Sequence, residues 1–93
     1  MRVSVRYVGH LRDELGEEES YDLFSDSEPH LLSEILQELS KSKGEAFKKN
    51  IYSKDNSFNP RITVLLNGNV VLNDQVKVEG GCFILFVPFI DGG

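Results

Sequence analysis

Cys82-Phe83-Ile84-Leu85-Phe86-Val87 is an unbroken apolar run, and Pro88 follows it directly. Successive side chains of a strand point to opposite faces, so a half-exposed strand alternates apolar with polar. This run does not alternate, and a strand apolar on both faces belongs in the middle of a sheet. Pro88 lacks the N–H that a central ladder needs, so the chain is expected to leave the sheet at about that point. Immediately upstream, Ile62 to Leu66 is a second β-rich apolar run, joined through Asn67-Gly68-Asn69 to Val70-Val71-Leu72. Asn-Gly between two apolar runs is strong hairpin chemistry. Asn73-Asp74 and Glu79-Gly80-Gly81 supply further turns.

At the other end of the chain, residues 2–8 place Val3, Val5 and Tyr7 on one side and Arg2, Ser4 and Arg6 on the other, the two-residue period of a half-buried strand. Gly9 to Gly16 encloses a polar piece that a glycine can close as a short helical turn. Tyr21 to Phe24 reads as a second strand, antiparallel to the first. Ser27, Glu28 and Pro29 form a helix-start signal: a hydroxyl cap, an acidic first turn, and a proline whose missing N–H is harmless there. Leu31, Leu32, Ile35, Leu36 and Leu39 then make one apolar stripe, ending near Gly44. Ala46, Phe47, Ile51 and Tyr52 suit a further short helix before the polar stretch from Ser53 to Pro60. Two strands, a main helix, a hairpin and a final strand, with first and last strands at the sheet centre, make an α+β chain of β-grasp type. The expected form is a mixed sheet of four to five strands with one main helix packed across it. Residues 1–88 form the domain and residues 89–93 a flexible tail.

A chain of 93 residues, 40% hydrophobic, builds one core and has no room to wall off a deep dry cavity as well. That favours a carrier or binding role over stand-alone catalysis. The formal charge of −5 and the absence of an unbroken basic run argue against nucleic acid. Lys41, Lys43, Lys48, Lys49 and Lys54 are interrupted by Glu45 and Asp55 and suit a solvated face. Nothing approaches the roughly 20 apolar residues of a membrane span, and the alternating N-terminus does not resemble a signal peptide. A single cysteine, Cys82, rules out an internal disulfide and suits a reducing compartment, so the expected location is cytoplasmic. In an apolar strand it reads as a small hydrophobe. His10 and His30 have no further ligand at metal spacing, and Gly80-Gly81 lacks the lysine and helix start of a phosphate loop.

Gly92-Gly93 closes the sequence. At average glycine usage two terminal glycines coincide by chance about once in two hundred chains. A tail that threads a narrow channel to bring its α-carboxylate to an ATP phosphate cannot carry side chains near its tip, and glycine alone satisfies that. A carboxylate is a poor acyl donor, so an ATP-using partner must turn it into an acyl-adenylate before a sulfur nucleophile can attack.

Three segments resemble the ubiquitin-like sulfur carriers, the MoaD/ThiS-like family that includes the small subunit of molybdopterin synthase and the thiamine-pathway carrier. Tyr7, Gly9, Arg12 and Gly16 fall in register with the family's N-terminal spacing. Val64-Leu65-Leu66-Asn67-Gly68 matches its apolar strand and turn, and Phe86-Val87-Pro88-Phe89-Ile90-Asp91-Gly92-Gly93 is similar to its Phe-Pro-Pro-apolar-small-Gly-Gly tail. Val87-Pro88-Phe89 departs from Phe-Pro-Pro, and Asp91 stands where Ala or Ser is usual.

The resemblance implies that an E1-like adenylating enzyme activates Gly93 with ATP, that persulfide sulfur makes it a thiocarboxylate, and that the large subunit of molybdopterin synthase receives the tail. No cofactor is held by the chain itself. Tyr7, Arg12, Phe86, Phe89 and Ile90 are the implied partner contacts. Phe86 is equally readable as core, and Arg12 as a solvated surface residue. A modifier joined through Gly93 to lysines, or a carrier for thiamine or tRNA thiolation, uses the same adenylate. The long segment from Ser40 to Pro60 argues against the thiamine role.

Overall fold

The computed structural model describes residues 1–23 and 29–89. Among them the chain forms β1 (Arg2–Tyr7), α1 (His10–Leu15), β2 (Glu18–Asp22), β3 (His30–Leu31), α2 (Leu32–Lys43), α3 (Glu45–Ile51), β4 (Ile62–Leu66), β5 (Asn69–Val71), β6 (Lys77–Val78) and β7 (Cys82–Pro88). A five-stranded sheet has the order β2-β1-β7-β4-β5. β7 lies at its centre, parallel to β1 and antiparallel to β4. The apolar run at residues 82–87 therefore sits where its composition requires.

Register decides which side chains are buried. Val3, Val5 and Tyr7 lie opposite Cys82, Ile84 and Phe86, and Val64 lies opposite Phe86 on the other side. All seven face α2, whose Leu32, Ile35, Leu36 and Leu39 join them in one core. α3 adds Phe47 and Ile51, and α1 adds Leu11 and Leu15. Each fully buried side chain of this size contributes roughly 1.5–3 kcal/mol. At the core's centre Tyr7 stacks on Phe86 with ring centroids 5.5 Å apart, and Phe47 meets Phe86 edge-on at 5.8 Å.

Several boundaries differ from the sequence reading. The second strand is Glu18–Asp22, earlier than Tyr21 to Phe24, and Phe24 lies outside the described residues. Its inward positions are Glu19 and Tyr21, a pattern too polar to read as a strand. At the sheet edge Glu19 instead pairs with Lys43 from the last turn of α2 and accepts a hydrogen bond from Tyr21. The helix begins at Leu32, not at Ser27 to Pro29, and Ser27 and Glu28 lie outside the described residues. The reason is tertiary. His30 and Leu31 are extended because they pair with Val78 and Lys77. The Leu32 and Ser33 amides donate to the carbonyls of Val76 and Asp74, each at 2.8 Å, and Glu34 accepts from the Leu31 amide at 3.1 Å. The orphan donors of the first turn are thus satisfied without a hydroxyl cap. Gly44, at φ 74°, ends α2 and opens α3.

Pro88 is the last paired residue of β7, opposite Ile62, so the strand ends at about the expected point. The Val8 amide donates to the Phe86 carbonyl, so residue 86, and with it residue 88, presents its backbone groups toward β1. β1 has already ended at Tyr7, and the missing N–H of Pro88 costs the ladder nothing.

Leu36→Ala should destabilise the domain by about 2–5 kcal/mol in a denaturant titration, since Leu36 is fully enclosed between helix and sheet. Tyr7→Phe should leave stability unchanged or raise it by up to about 1 kcal/mol, because the buried Tyr7 hydroxyl has no hydrogen-bond partner among the described residues. A loss above that size would reveal a bond the phenol makes.

Candidate functional site

The helices cover one face of the sheet. On the other face, the odd-numbered residues of β7 point outward: Phe83, Leu85 and Val87, followed by Phe89 just past the strand. This apolar ridge ends where residue 90 begins. Beside it, Leu85 is flanked by Arg6 of β1 and Leu65 of β4, and Leu65 by Val70 of β5. Phe83 is 39% exposed, and Val70 and Phe89 are each 59% exposed. No helix among the described residues packs on this face. A contiguous apolar patch rimmed by polar residues marks a protein contact surface.

The rim is charged in an ordered way. On the outward side of β1 and β2, Arg2 stands opposite Asp22, Ser4 opposite Ser20, and Arg6 opposite Glu18. Where β1 ends, a hollow of about 310 Å³ is bordered by Arg6, Gly9, Arg12, Glu17 and Glu18. Arg12 is exposed on α1 and free to meet a carboxylate at this rim.

The implied contact residues separate into three groups. Phe89 and Arg12 are on the surface, at the foot of the tail and at the rim. Ile90, Asp91, Gly92 and Gly93 lie outside the described residues. Tyr7 and Phe86 are a correction: neither is a surface contact, because strand alternation turns both inward and the parallel register stacks them. Burial, and secondarily the nearby Glu19 and Tyr21, pushes the Tyr7 hydroxyl well above the ordinary tyrosine range, so it stays neutral.

Phe83, Leu85, Leu65 and Val70 were not picked out from the sequence. The signal was present: a central strand apolar on both faces, in a chain with one main helix, must leave one of those faces uncovered. Cys82 is on the covered side, and burial raises its thiol pKa, which disfavours the reactive thiolate. A second groove, of about 590 Å³ between α2, α3 and the loop after α3, is lined by Gln37, Lys48, Tyr52 and Asp74 and lies on the helical side, away from the ridge. No helix among the described residues is long and apolar enough to cross a membrane.

The model of the ThiS family matches residues 5–93 of this chain. No curated relative matches it at the sequence level. Among solved structures, SAMP1 from Haloferax volcanii is similar with TM-score 0.78 and 18% identity, covering 100% of both chains. A chain of the BexX/CysO complex of Amycolatopsis orientalis has TM-score 0.72 and 20% identity, covering 98% of this chain and 99% of that one. A chain of the complex of subunits 1 and 2 of the molybdopterin-converting factor from Helicobacter pylori has TM-score 0.56 and 24% identity, covering 100% of both. At these identities the structures speak for the ubiquitin-like β-grasp fold alone. With a family match that takes in all but the first four residues, the chain belongs to the ThiS family of ubiquitin-like sulfur carriers.

Proposed function

We propose that Gly93 is the working atom-bearing residue of a sulfur carrier, adenylated by an ATP-using E1-like partner and converted to a thiocarboxylate. The thiocarboxylate then donates its sulfur as part of a molybdopterin synthase, with this chain as the small subunit. One observation carries the reading: the family match runs through residue 93, so Gly92-Gly93 lies inside the matched segment. The Helicobacter pylori relative stands in a complex of two converting-factor subunits, which supports a large-subunit partner here.

The division of labour follows from the chemistry. A carboxylate oxygen of Gly93 attacks the α-phosphate of ATP on the partner, and pyrophosphate leaves. The terminal sulfur of a persulfide then attacks the acyl carbon, AMP leaves with its electron pair, and a thiol reductant cleaves the resulting acyl disulfide to release the thiocarboxylate. The carrier's task is delivery of the carboxylate to within bonding distance of that phosphate. The uncovered ridge from Phe83 to Phe89 supports that task, since it presents an apolar docking surface running directly into the tail.

A second reading, a modifier joined through Gly93 to lysines of other proteins, is supported by the full-length likeness to SAMP1, described elsewhere in the same fold as a small archaeal modifier protein. The two diverge after the adenylate. The carrier yields only an oxygen-for-sulfur exchange at the terminus, whereas the modifier yields higher-mass species in cell extract that disappear in Gly93→Val.

Incubation with the matching adenylating enzyme, ATP, a persulfide source and a thiol reductant should exchange one oxygen for sulfur on the C-terminal peptide, read by mass spectrometry. Adding one residue after Gly93 should abolish the exchange, as should Gly93→Val, whose β-branched side chain obstructs a narrow channel. Equal conversion of both variants and the parent would remove the carrier assignment. Phe83→Glu on the ridge should weaken binding to the activating enzyme by about tenfold or more while the thermal midpoint moves by only about a few degrees. Unchanged affinity would take the ridge out of the interface.

A further inference from the structure

Gly9 directly follows the β1 end and opens α1 with φ 65° and ψ −139°, a conformation that L side chains rarely adopt. Space is as restrictive there as torsion. A Cβ at Gly9 would stand 3.0 Å from Pro88 Cγ and 3.6 Å from Pro88 Cδ. The contact with Cγ is tighter than side chains normally make, while that with Cδ is ordinary packing. Pro88 is also the last paired residue of β7, and the next amide, that of Phe89, donates to the Arg61 carbonyl at 2.6 Å. Two residues before Pro88, on the β1 side of the strand, the Val8 amide donates to the Phe86 carbonyl at 3.0 Å. The foot of the tail is thus held between β4, through a hydrogen bond, and the β1–α1 loop, through a proline ring lying against a glycine.

We propose that Gly9 is a positioning residue for the transfer tail. By carrying no side chain it gives the Pro88 ring a seat, and that seat keeps Phe89 in line with Phe83, Leu85 and Val87. A partner then meets the ridge and Phe89 as one continuous surface. The inference deepens the carrier reading above and rests on it. Its physical basis is stiffness. A flexible side chain in the place of Pro88 would swing aside from a new methyl group, but a pyrrolidine ring is fixed to its own backbone and φ. A change of ring pucker moves Cγ, and what relief it does not give must come from the backbone at residues 88–89, where the contact most directly exposed is the Phe89–Arg61 hydrogen bond.

The test uses Gly9→Ala, Pro88→Ala and the double variant in the full chain, with two readouts. Amide hydrogen exchange in the free protein reads the seat without any partner. Protection of the Phe89 amide should fall by about tenfold in Gly9→Ala, while the Ile84 and Val64 amides at the sheet centre keep theirs. ATP–pyrophosphate exchange with the activating enzyme reads the consequence. KM for the carrier should rise by about tenfold with kcat within about twofold, since docking is disturbed and the Gly93 carboxylate is not. Both Gly9→Ala and the double variant strain the backbone at φ 65°, but only the single variant presses the new methyl group against Pro88 Cγ. The double variant should therefore recover part of the loss, toward the level of Pro88→Ala, which loses the seat without gaining a clash or a strained φ and should show the smallest loss of the three. Parent-like Phe89 protection and KM in Gly9→Ala would overturn the proposal. So would a double variant no better than Gly9→Ala, because loop strain would then explain everything. Should Gly9→Ala fail to fold, Pro88→Ala decides alone, and undiminished Phe89 protection there would also overturn it. If the parent is not activated at all, the carrier reading fails, while the amide exchange still shows whether Gly9 sets the place of Phe89.

Discussion

The parallel pairing of β1 with β7 is the contact on which the rest of the molecule depends. It joins Val3 to Cys82 and Tyr7 to Phe86 across nearly the whole chain. Parallel neighbours need a long crossover, and here everything between them serves as one. β2 pairs on the far side of β1, the helices cross one face, and β4 with β5 closes the other flank. The cost is a loop closure of almost the full chain length before any reward is collected. The return is a central strand that presents Cys82, Ile84 and Phe86 to the core and Phe83, Leu85 and Val87 to the outside. Core and docking surface are alternate residues of one strand, so neither can be shifted without the other.

That arrangement explains how much the sequence discloses. Regular elements held by their own patterning were legible: the alternation of residues 2–8, the apolar stripe of α2, the Asn67-Gly68 turn and the central run at 82–87. Elements held by something distant were not. β3 and β6 are two residues each and exist because they pair with one another. The start of α2 is fixed by carbonyls at residues 74 and 76, so a well-formed capping signal at Ser27 to Pro29 pointed too early. β2 carries Glu19 inward, against any hydrophobic pattern, because Lys43 from the end of α2 reaches it at the sheet edge.

The site divides along the same line. Gly92-Gly93 and the apolar approach to them are local features that the sequence states outright. Which aromatic side chains face a partner is a question of register, and a slip of one residue would exchange Phe86 with Phe83 and Val87. Tyr7 and Phe86 share the family's spacing because they hold the fold, stacked at 5.5 Å.

The surface that results is suited to temporary company. An apolar ridge on a small acidic domain would favour self-association were it not bordered by charge, and the outward rows of β1 and β2 supply both signs opposite each other. A ridge of this kind offers an apolar interface core with a polar rim. The carrier reading requires just that: the same tail must be held by an activating partner and then released to a receiving one. Affinity built largely from four outward side chains of one strand end is easily gained and easily given up. The strand itself, locked between β1 and β4, does not have to move for either exchange.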